Sequence, residues 1–187
     1  MKDISYHILD IVQNSLHAGA SQVIIDIDDD THTGILKLTL TDNGCGMTKE
    51  LLKQVTDPFF TTSAIKKVGL GLPLLKQNTE QTNGQFEIES EENRGTVVRA
   101  SFNSRSIDMI PLGSMASTLK TLIASCPERD FVYTHKKDGE GFGVDTASIR
   151  AELNGISLST YEVLDYIADY IQANLLVLYD KQRVTIT

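Results

Sequence analysis

The chain has 187 residues, of which 41% are hydrophobic, enough to bury a core in one large domain or two small ones. Its formal net charge is −8 and its longest run of basic residues is the pair Lys66 and Lys67, so a nucleic-acid-binding protein is not expected. The chain does not open on a signal-peptide pattern, and it has no apolar stretch long enough to cross a bilayer. These features predict a cytoplasmic protein without membrane contact.

Hydrophobic periodicity predicts an alternation of helices and strands in the first hundred residues. Apolar residues at helical spacing between Ile4 and Ala18 predict a helix that ends before Gly19. The remaining predicted elements, in chain order, are strands over 22–28 and 35–41, a short helix over 48–55, a helix that opens at Gly69 and runs through Leu75, and strands over 85–89 and 96–102. This order is that of an α/β sandwich.

The polar stretch 103–106 marks a predicted boundary, with one domain over 1–103 and a small α+β region of unknown role over 104–187. That region is predicted to hold a helix over 114–125, a hairpin over 131–144 and a helix over 160–174. The apolar positions of the last helix suit either an internal core or a dimer seam, so a homodimer is left open.

Asp10 and Asn14 stand at i and i+4 on the first predicted helix, so both side chains project from one face about one turn apart. Such a pair is usually a solvated stripe, but a carboxylate and an amide oxygen there could share a magnesium ion and a water. Two glycine motifs follow. Asp42-Asn43-Gly44-Cys45-Gly46 ends a strand, and Gly69-Leu70-Gly71-Leu72 opens a helix, where backbone N–H groups can bind an anion.

Each motif alone is weak, because an Asn-Gly turn or a glycine pair is common; the order and spacing of all of them are far more specific. With Phe59-Phe60-Thr61-Thr62 between the glycine motifs and Gly95-Thr96 entering a strand, the sequence resembles the GHKL superfamily. This is the ATP-binding fold shared by DNA gyrase, MutL and histidine kinases. The resemblance covers residues 4–102 and implies a two-layer α/β sandwich of the Bergerat type.

By that resemblance Asn14 would coordinate Mg²⁺, Asp42 would bind the adenine amine, and Thr96 would lie near the base. Gly44 and Gly46 would line the base pocket. The implied nucleotide-binding set is completed by Met47, Phe60, Thr61, Thr62, Lys67, Gly69, Leu70, Gly71 and Leu72. The glycine turn and Leu72 would hold the phosphates. Lys67 either reaches the γ-phosphate or is a solvated loop residue.

Asp10 occupies the place of the glutamate that acts as general base in hydrolases and anti-sigma serine kinases of the superfamily, and it is one methylene shorter. A misplacement of about 1 Å can lower a rate about 100-fold, so ATP binding is a firmer expectation than catalysis. Only nine residues precede Asp10, so we do not expect the phospho-acceptor hairpin of a self-phosphorylating sensor kinase.

We therefore expect an ATP- and Mg²⁺-binding signalling protein that acts in trans, as a protein kinase or as a nucleotide-dependent regulator with a protein partner. Two alternatives stay open. One is an ATP hydrolase whose C-terminal part is a transducer, and the other is a nucleotide-sensing scaffold in which Asp10 does not catalyse.

Overall fold

The computed structural model describes residues 3–56 and 71–180 of the chain. Six strands form one sheet in the order β3-β4-β2-β1-β5-β6. The strands are β1 (Gln22–Asp30), β2 (Ile35–Asp42), β3 (Phe86–Glu91), β4 (Gly95–Asn103), β5 (Asp130–Lys137) and β6 (Glu140–Asp145). The helices are α1 (Ile4–His17), α2 (Lys49–Gln54), α3 (Gly71–Gln81), α4 (Met115–Ser125), α5 (Thr146–Glu152) and α6 (Tyr161–Asp180).

The sheet and helices form the two-layer α/β sandwich that the sequence predicts. Alternate residues of the strands are buried on one side only, as in Val23, Ile25 and Ile27 of β1. These side chains share a single core with apolar residues of α1, α3, α4 and α6. The opposite side of the sheet carries exposed charges, including Lys37, Arg99 and Lys136. The fold class is thereby confirmed.

α1 begins and ends where its sequence requires. Asp3 caps its N-terminus, because the carboxylate accepts a hydrogen bond from the backbone N–H of Tyr6 at 3.0 Å. Gly19, at φ +79°, follows the helix and lets the chain turn into β1. The helix buries Ile4, Ile8 and other apolar residues, and its polar edge is left beside α3.

Beyond residue 103 the chain continues the same sheet. β5 pairs with β1 in parallel, with Phe131 opposite Val23 and His135 opposite Ile27, and β6 then pairs antiparallel with β5. α4 connects β4 to β5 and packs on α1 and α6. One sheet runs across the predicted boundary at residues 103 and 104. The division into two domains stays a prediction.

Three helices differ from the predicted elements. α6 runs to Asp180, six residues beyond its predicted end at 174. α3 runs to Gln81, six residues beyond Leu75, because the polar residues after Leu75 continue the helix with Thr79 buried beneath them, until Asn83 turns the chain at φ +57°. α5 is absent from the prediction; Asp145 caps it by accepting from the N–H of Ala147 at 2.9 Å. No helix in the described ranges is long and apolar enough to cross a bilayer.

Candidate functional site

Asp10 and Asn14 lie on α1 at the edge of its buried face. Asp10 is half-buried and Asn14 is exposed, one helical turn apart. The first residue of α3 lies directly against this edge. A Cβ atom on Gly71 would stand 2.1 Å from Oδ2 of Asp10, so a larger residue there would push the carboxylate aside. The sequence-predicted pair is thus brought to the N-terminus of α3.

This contact has an electrostatic consequence. The N-terminal end of a helix attracts anions, and the adjacent carboxylate of Asp10 repels them. A phosphate group at Gly71 would therefore need a cation between it and Asp10. Mg²⁺ binds through one or two protein oxygens together with phosphate oxygens and water, and the amide oxygen of Asn14, one helical turn from Asp10, fits that requirement. Among the residues that the structure describes, no group of three or more His, Cys, Asp or Glu side chains could hold a metal by itself.

Asp42 ends β2 with its carboxylate fixed by two donors. The hydroxyl of Ser15 donates to Oδ2 at 2.6 Å, and the N–H of Gly44 donates to Oδ1 at 2.9 Å. Each carboxylate oxygen has two lone pairs, so both can accept a further hydrogen bond. Asp42 is an oriented, half-buried acceptor. Ser15 is a site residue that the sequence analysis missed, although a small polar residue on the buried face of a helix is itself a signal.

Thr96 lies beside Asp42, since the two residues are register partners on β4 and β2. The Ser90 hydroxyl donates to the carbonyl of Gly95 at 2.9 Å, and the Thr96 hydroxyl lies 2.9 Å from Ser90 Oγ. Because Ser90 has used its single proton, Thr96 is the donor of that pair. The structure therefore brings Asp42 and Thr96 together at the end of β2.

Gly46 and Gly95 let the loop after β2 and the β3–β4 turn come into backbone contact. A Cβ on Gly46, at φ +62°, would lie 2.0 Å from the carbonyl oxygen of Glu91, and a Cβ on Gly95 would lie 1.9 Å from the carbonyl oxygen of Asp42. The N–H of Asn93 donates to the carbonyl of Cys45 at 2.7 Å across the same contact. The loop after β2 is held against the β3–β4 turn by its backbone.

The other predicted site residues divide into two groups. Gly44 is buried, and Met47 and Leu72 are half-buried, with Leu72 packed against the core. The rest lie outside the described residues: Phe60, Thr61, Thr62, Lys67, Gly69 and Leu70.

His7 ties the two helices of the site together and was not singled out from the sequence. Its Nε2 lies 2.8 Å from Nδ2 of Asn78 on α3, and the ring is fully buried. Burial lowers the pKa of His7 below its ordinary value, so the neutral imidazole is the form that fits the contact. The sequence signal for His7 was its position on the buried face of α1, three residues before Asp10.

Known proteins resemble this chain in sequence and in fold. The model of the family described as "Histidine kinase-, DNA gyrase B-, and HSP90-like ATPase" matches residues 2–106, more than half of the chain. A putative sensor protein of Shewanella frigidimarina is 35% identical over 97 residues, which cover 51% of this chain and 15% of that protein. A putative sensor histidine kinase, NtrY-like, of Rickettsia conorii is 32% identical over 92 residues, with coverages of 49% and 14%.

Sporulation kinase C of Bacillus subtilis is 32% identical over 89 residues, which cover 48% of this chain and 21% of that kinase. The chain thus matches only a small part of the length of these relatives. Among solved structures, the N-terminal domain of a DNA repair protein superposes with a TM-score of 0.52 at 14% identity, covering 77% of this chain and 52% of that one. At that identity the likeness concerns the fold alone.

Proposed function

The chain belongs to the histidine kinase-, DNA gyrase B- and HSP90-like ATPase family, and on that premise we propose that it binds Mg-ATP and acts in trans, as a protein kinase or as a nucleotide-dependent regulator of a protein partner. The observation that carries the proposal is the double role of α1. Ser15 orients the carboxylate of Asp42, and Asp10, on the same helix, lies against Gly71 at the start of α3. One rigid helix therefore links an acceptor for a base to a position for phosphates.

Each residue has a definite part in this proposal. Asp42 accepts a hydrogen bond from the exocyclic amine of adenine, and the missing side chain of Gly44 leaves room beside it. The first N–H groups of α3 and the oxygen of Asn14 hold the phosphates and Mg²⁺, which neutralises the phosphate charge when bound. Asp10 accepts the proton of an attacking hydroxyl or water.

The proposed compartment is the cytoplasm, where ATP is available. The two cysteines, Cys45 and Cys126, are free thiols, which suits a reducing compartment. The net charge of −8 favours a protein partner over a nucleic acid.

The test is to measure ATP binding with Mg²⁺ by calorimetry and to follow free phosphate and protein-bound label from γ-labelled ATP. Asp42→Asn removes a charge-assisted acceptor, and we expect it to weaken ATP binding about 10- to 100-fold. Asp108→Asn makes the same chemical change at an exposed residue outside the site and is the matched control. Equal affinity of the Asp42 variant and the control would refute the proposed base contact.

Asn14→Ala is expected to weaken binding in Mg²⁺ and to leave binding in EDTA unchanged, because its part is to hold the metal. An equal loss in both conditions would contradict that role.

Transfer of the label to an added protein would identify a kinase if Asp10→Asn abolishes that transfer. Steady phosphate release with the same dependence on Asp10 would favour the hydrolase alternative.

The scaffold alternative is favoured by the close contact between Asp10 and Gly71, which leaves little room for a longer side chain. It predicts that neither label transfer nor phosphate release occurs in the wild-type protein or in Asp10→Glu. Turnover recovered by Asp10→Glu would refute it.

A further inference from the structure

α6 has two apolar faces, and only one of them is used by the core. Leu164, Ile167, Ile171 and Leu175 are buried against the sheet and α4. A second row follows the spacing 4-3-4 of a coiled-coil seam and is exposed, although the ring of Tyr170 also packs edge-to-face against Phe142. This row, which we name the outer seam, consists of Tyr166 (72% exposed), Tyr170 (40%), Ala173 and Val177 (55%).

Acidic residues run along one side of the outer seam. Glu162, Asp169 and Asp180 follow each other at intervals of seven and eleven residues, which places them on a single line of the helix surface. All three are exposed. We name this line the acidic row. Its charge would attract Lys or Arg on any segment that lies in the outer seam.

Polar contacts fix α6 near both of its ends, so the outer seam is preorganised. Near the N-terminal end Lys120 of α4 forms an ion pair with Asp165 and lies 5.1 Å from the ring centroid of Tyr161. Near the C-terminal end the hydroxyl of Tyr179 donates to Oδ2 of Asp29 at 3.2 Å. A partner that binds a fixed helix does not have to order it first, which lowers the cost of binding.

From these observations we infer that the outer seam of α6 docks an amphipathic helix of a partner protein whose apolar stripe is flanked by Lys and Arg. The 4-3-4 spacing accepts the side chains of such a helix as knobs, and the acidic row selects its charge. A second copy of this chain suits the surface less well. Two α6 helices packed antiparallel would bring the acidic rows together, and each chain carries a net charge of −8.

This docking surface is separate from the proposed ATP site, because α6 packs on α4, β5 and β6, whereas the proposed ATP site is formed by α1, the end of β2 and the start of α3. The probe is a library of displayed 21-residue helical peptides with a fixed apolar stripe and flanking positions randomised among Lys, Gln and Glu. We expect selection on the wild-type protein to enrich Lys at the flanks. Binders with neutral or acidic flanks, or no binder at all, would overturn the proposal.

Enriched peptides are then titrated against variants of the intact chain. Tyr166→Glu and Val177→Glu put charge into the outer seam and should each weaken binding at least 10-fold. Asp169→Asn should weaken it about 3- to 10-fold, with a smaller salt dependence. Ile107→Glu and Ile156→Glu make the same change at exposed apolar residues elsewhere, and should alter affinity less than 2-fold. Equal effects at seam and control residues would overturn the assignment.

Two further outcomes identify other occupants. A wild-type dimer in light scattering that Val177→Glu dissociates would make a second copy the occupant and overturn the proposal. A chain ended at Asp180 should bind the peptide with unchanged affinity; a 10-fold gain would make residues 181–187 the occupant instead. Asp42→Asn should bind the peptide normally, so a failure of the proposed ATP site is distinguishable from a failure of this surface.

Discussion

Two regions of the molecule order polar groups by different means. Around Asp42 the backbone does so, because Gly46 and Gly95 let the loop after β2 and the β3–β4 turn approach more closely than any side chain allows. At the end of α6, side chains order the polar groups through a partly buried series of hydrogen bonds. Tyr179 donates to Asp29, so its oxygen accepts from Nε2 of His135, and Nδ1 of His135 accepts from the hydroxyl of Tyr133.

The first region therefore depends on missing Cβ atoms, and the second depends on which groups carry protons. Substitutions at glycines should damage the first region at every pH. The second region should respond to pH, since burial lowers the pKa of His135 from 6.5 to about 4 and raises the pKa of Asp29.

The largest expected effect is that of Gly95→Ala. A methyl group there would meet the carbonyl oxygen of Asp42 at 1.9 Å, on a residue with φ +90°. Backbone strain and overpacking together should lower the free energy of unfolding by about 2–5 kcal/mol, measured by urea denaturation. ATP binding should fall with it, because Asp42 is displaced.

Gly155→Ala is the matched control for that substitution. Gly155 has φ +93°, and no atom lies within 4 Å of the position its Cβ would take. The strain of a left-handed alanine should lower the free energy of unfolding of this variant by only about 1–2 kcal/mol. Equal losses in the two variants would show that the close approach at Asp42 contributes nothing.

The next largest effect concerns pH. Between pH 6.5 and about 4 the unfolded protein binds a proton at His135 that the folded protein does not, so stability is lost as the pH falls through this window. One such group contributes a slope of about 1.4 kcal/mol per pH unit. We expect His135→Gln to reduce the slope of unfolding free energy against pH by about this amount, measured by denaturation from pH 4 to 7.

His32→Gln is the control, because it makes the same substitution at an exposed position; a loss of slope as large as that of His135→Gln would show that burial is not the cause. The slope left in the His135 variant includes two contributions of opposite sign. His7, whose pKa burial also lowers, destabilises the protein as pH falls. Asp29, whose pKa is raised, destabilises it as pH rises above the unfolded pKa. An unchanged slope in His135→Gln would contradict a buried neutral imidazole.

A smaller effect is expected for Tyr179→Phe, which removes the donor to Asp29 without changing the packing of the ring. A hydrogen bond to a charged group contributes about 1.5–3 kcal/mol, and that loss should appear in thermal or urea unfolding. Tyr166→Phe removes an exposed hydroxyl from the same helix and should cost less than about 0.5 kcal/mol. If both variants lose the same amount, the series of hydrogen bonds does not stabilise the fold.

The smallest expected effect is at Asn43. Its Oδ1 accepts from the N–H groups of Ser21 and Gln22 at 2.9 and 3.0 Å, in an exposed position. Asn43→Ala should cost about 1–2 kcal/mol. Asn43→Asp keeps both acceptor contacts and loses only the bond from Nδ2 to Ser21, so it should cost less than the alanine variant. The reverse order would contradict the importance of the acceptor.

Much of the fold could be predicted from local pattern. Apolar spacing located α1 and α6 because each helix buries one face, and alternation located β1 and β2 because each strand does the same. The far end of α3, the whole of α5 and the last six residues of α6 were missed. The first two of these segments are short on apolar residues, and tertiary contacts and the cap at Asp145 decide their extent.

The candidate site shows the same division. Asp42 and the glycines near it could be found because they are adjacent in sequence. Ser15 could not be linked to Asp42, nor His7 to Asn78, because each pair joins residues separated by 27 or 71 positions. A hydrogen bond between side chains leaves no periodic trace in a single sequence.

What the sequence by itself determined is therefore the set of local conformations and the family motifs, since helix faces, caps and glycine turns depend on neighbouring residues. Only the tertiary structure decided that β5 joins β1 in parallel, that Gly71 lies against Asp10, and that α6 keeps one apolar face in solvent. Each of these results depends on how distant segments pack, and packing is settled by the whole core rather than by any one segment.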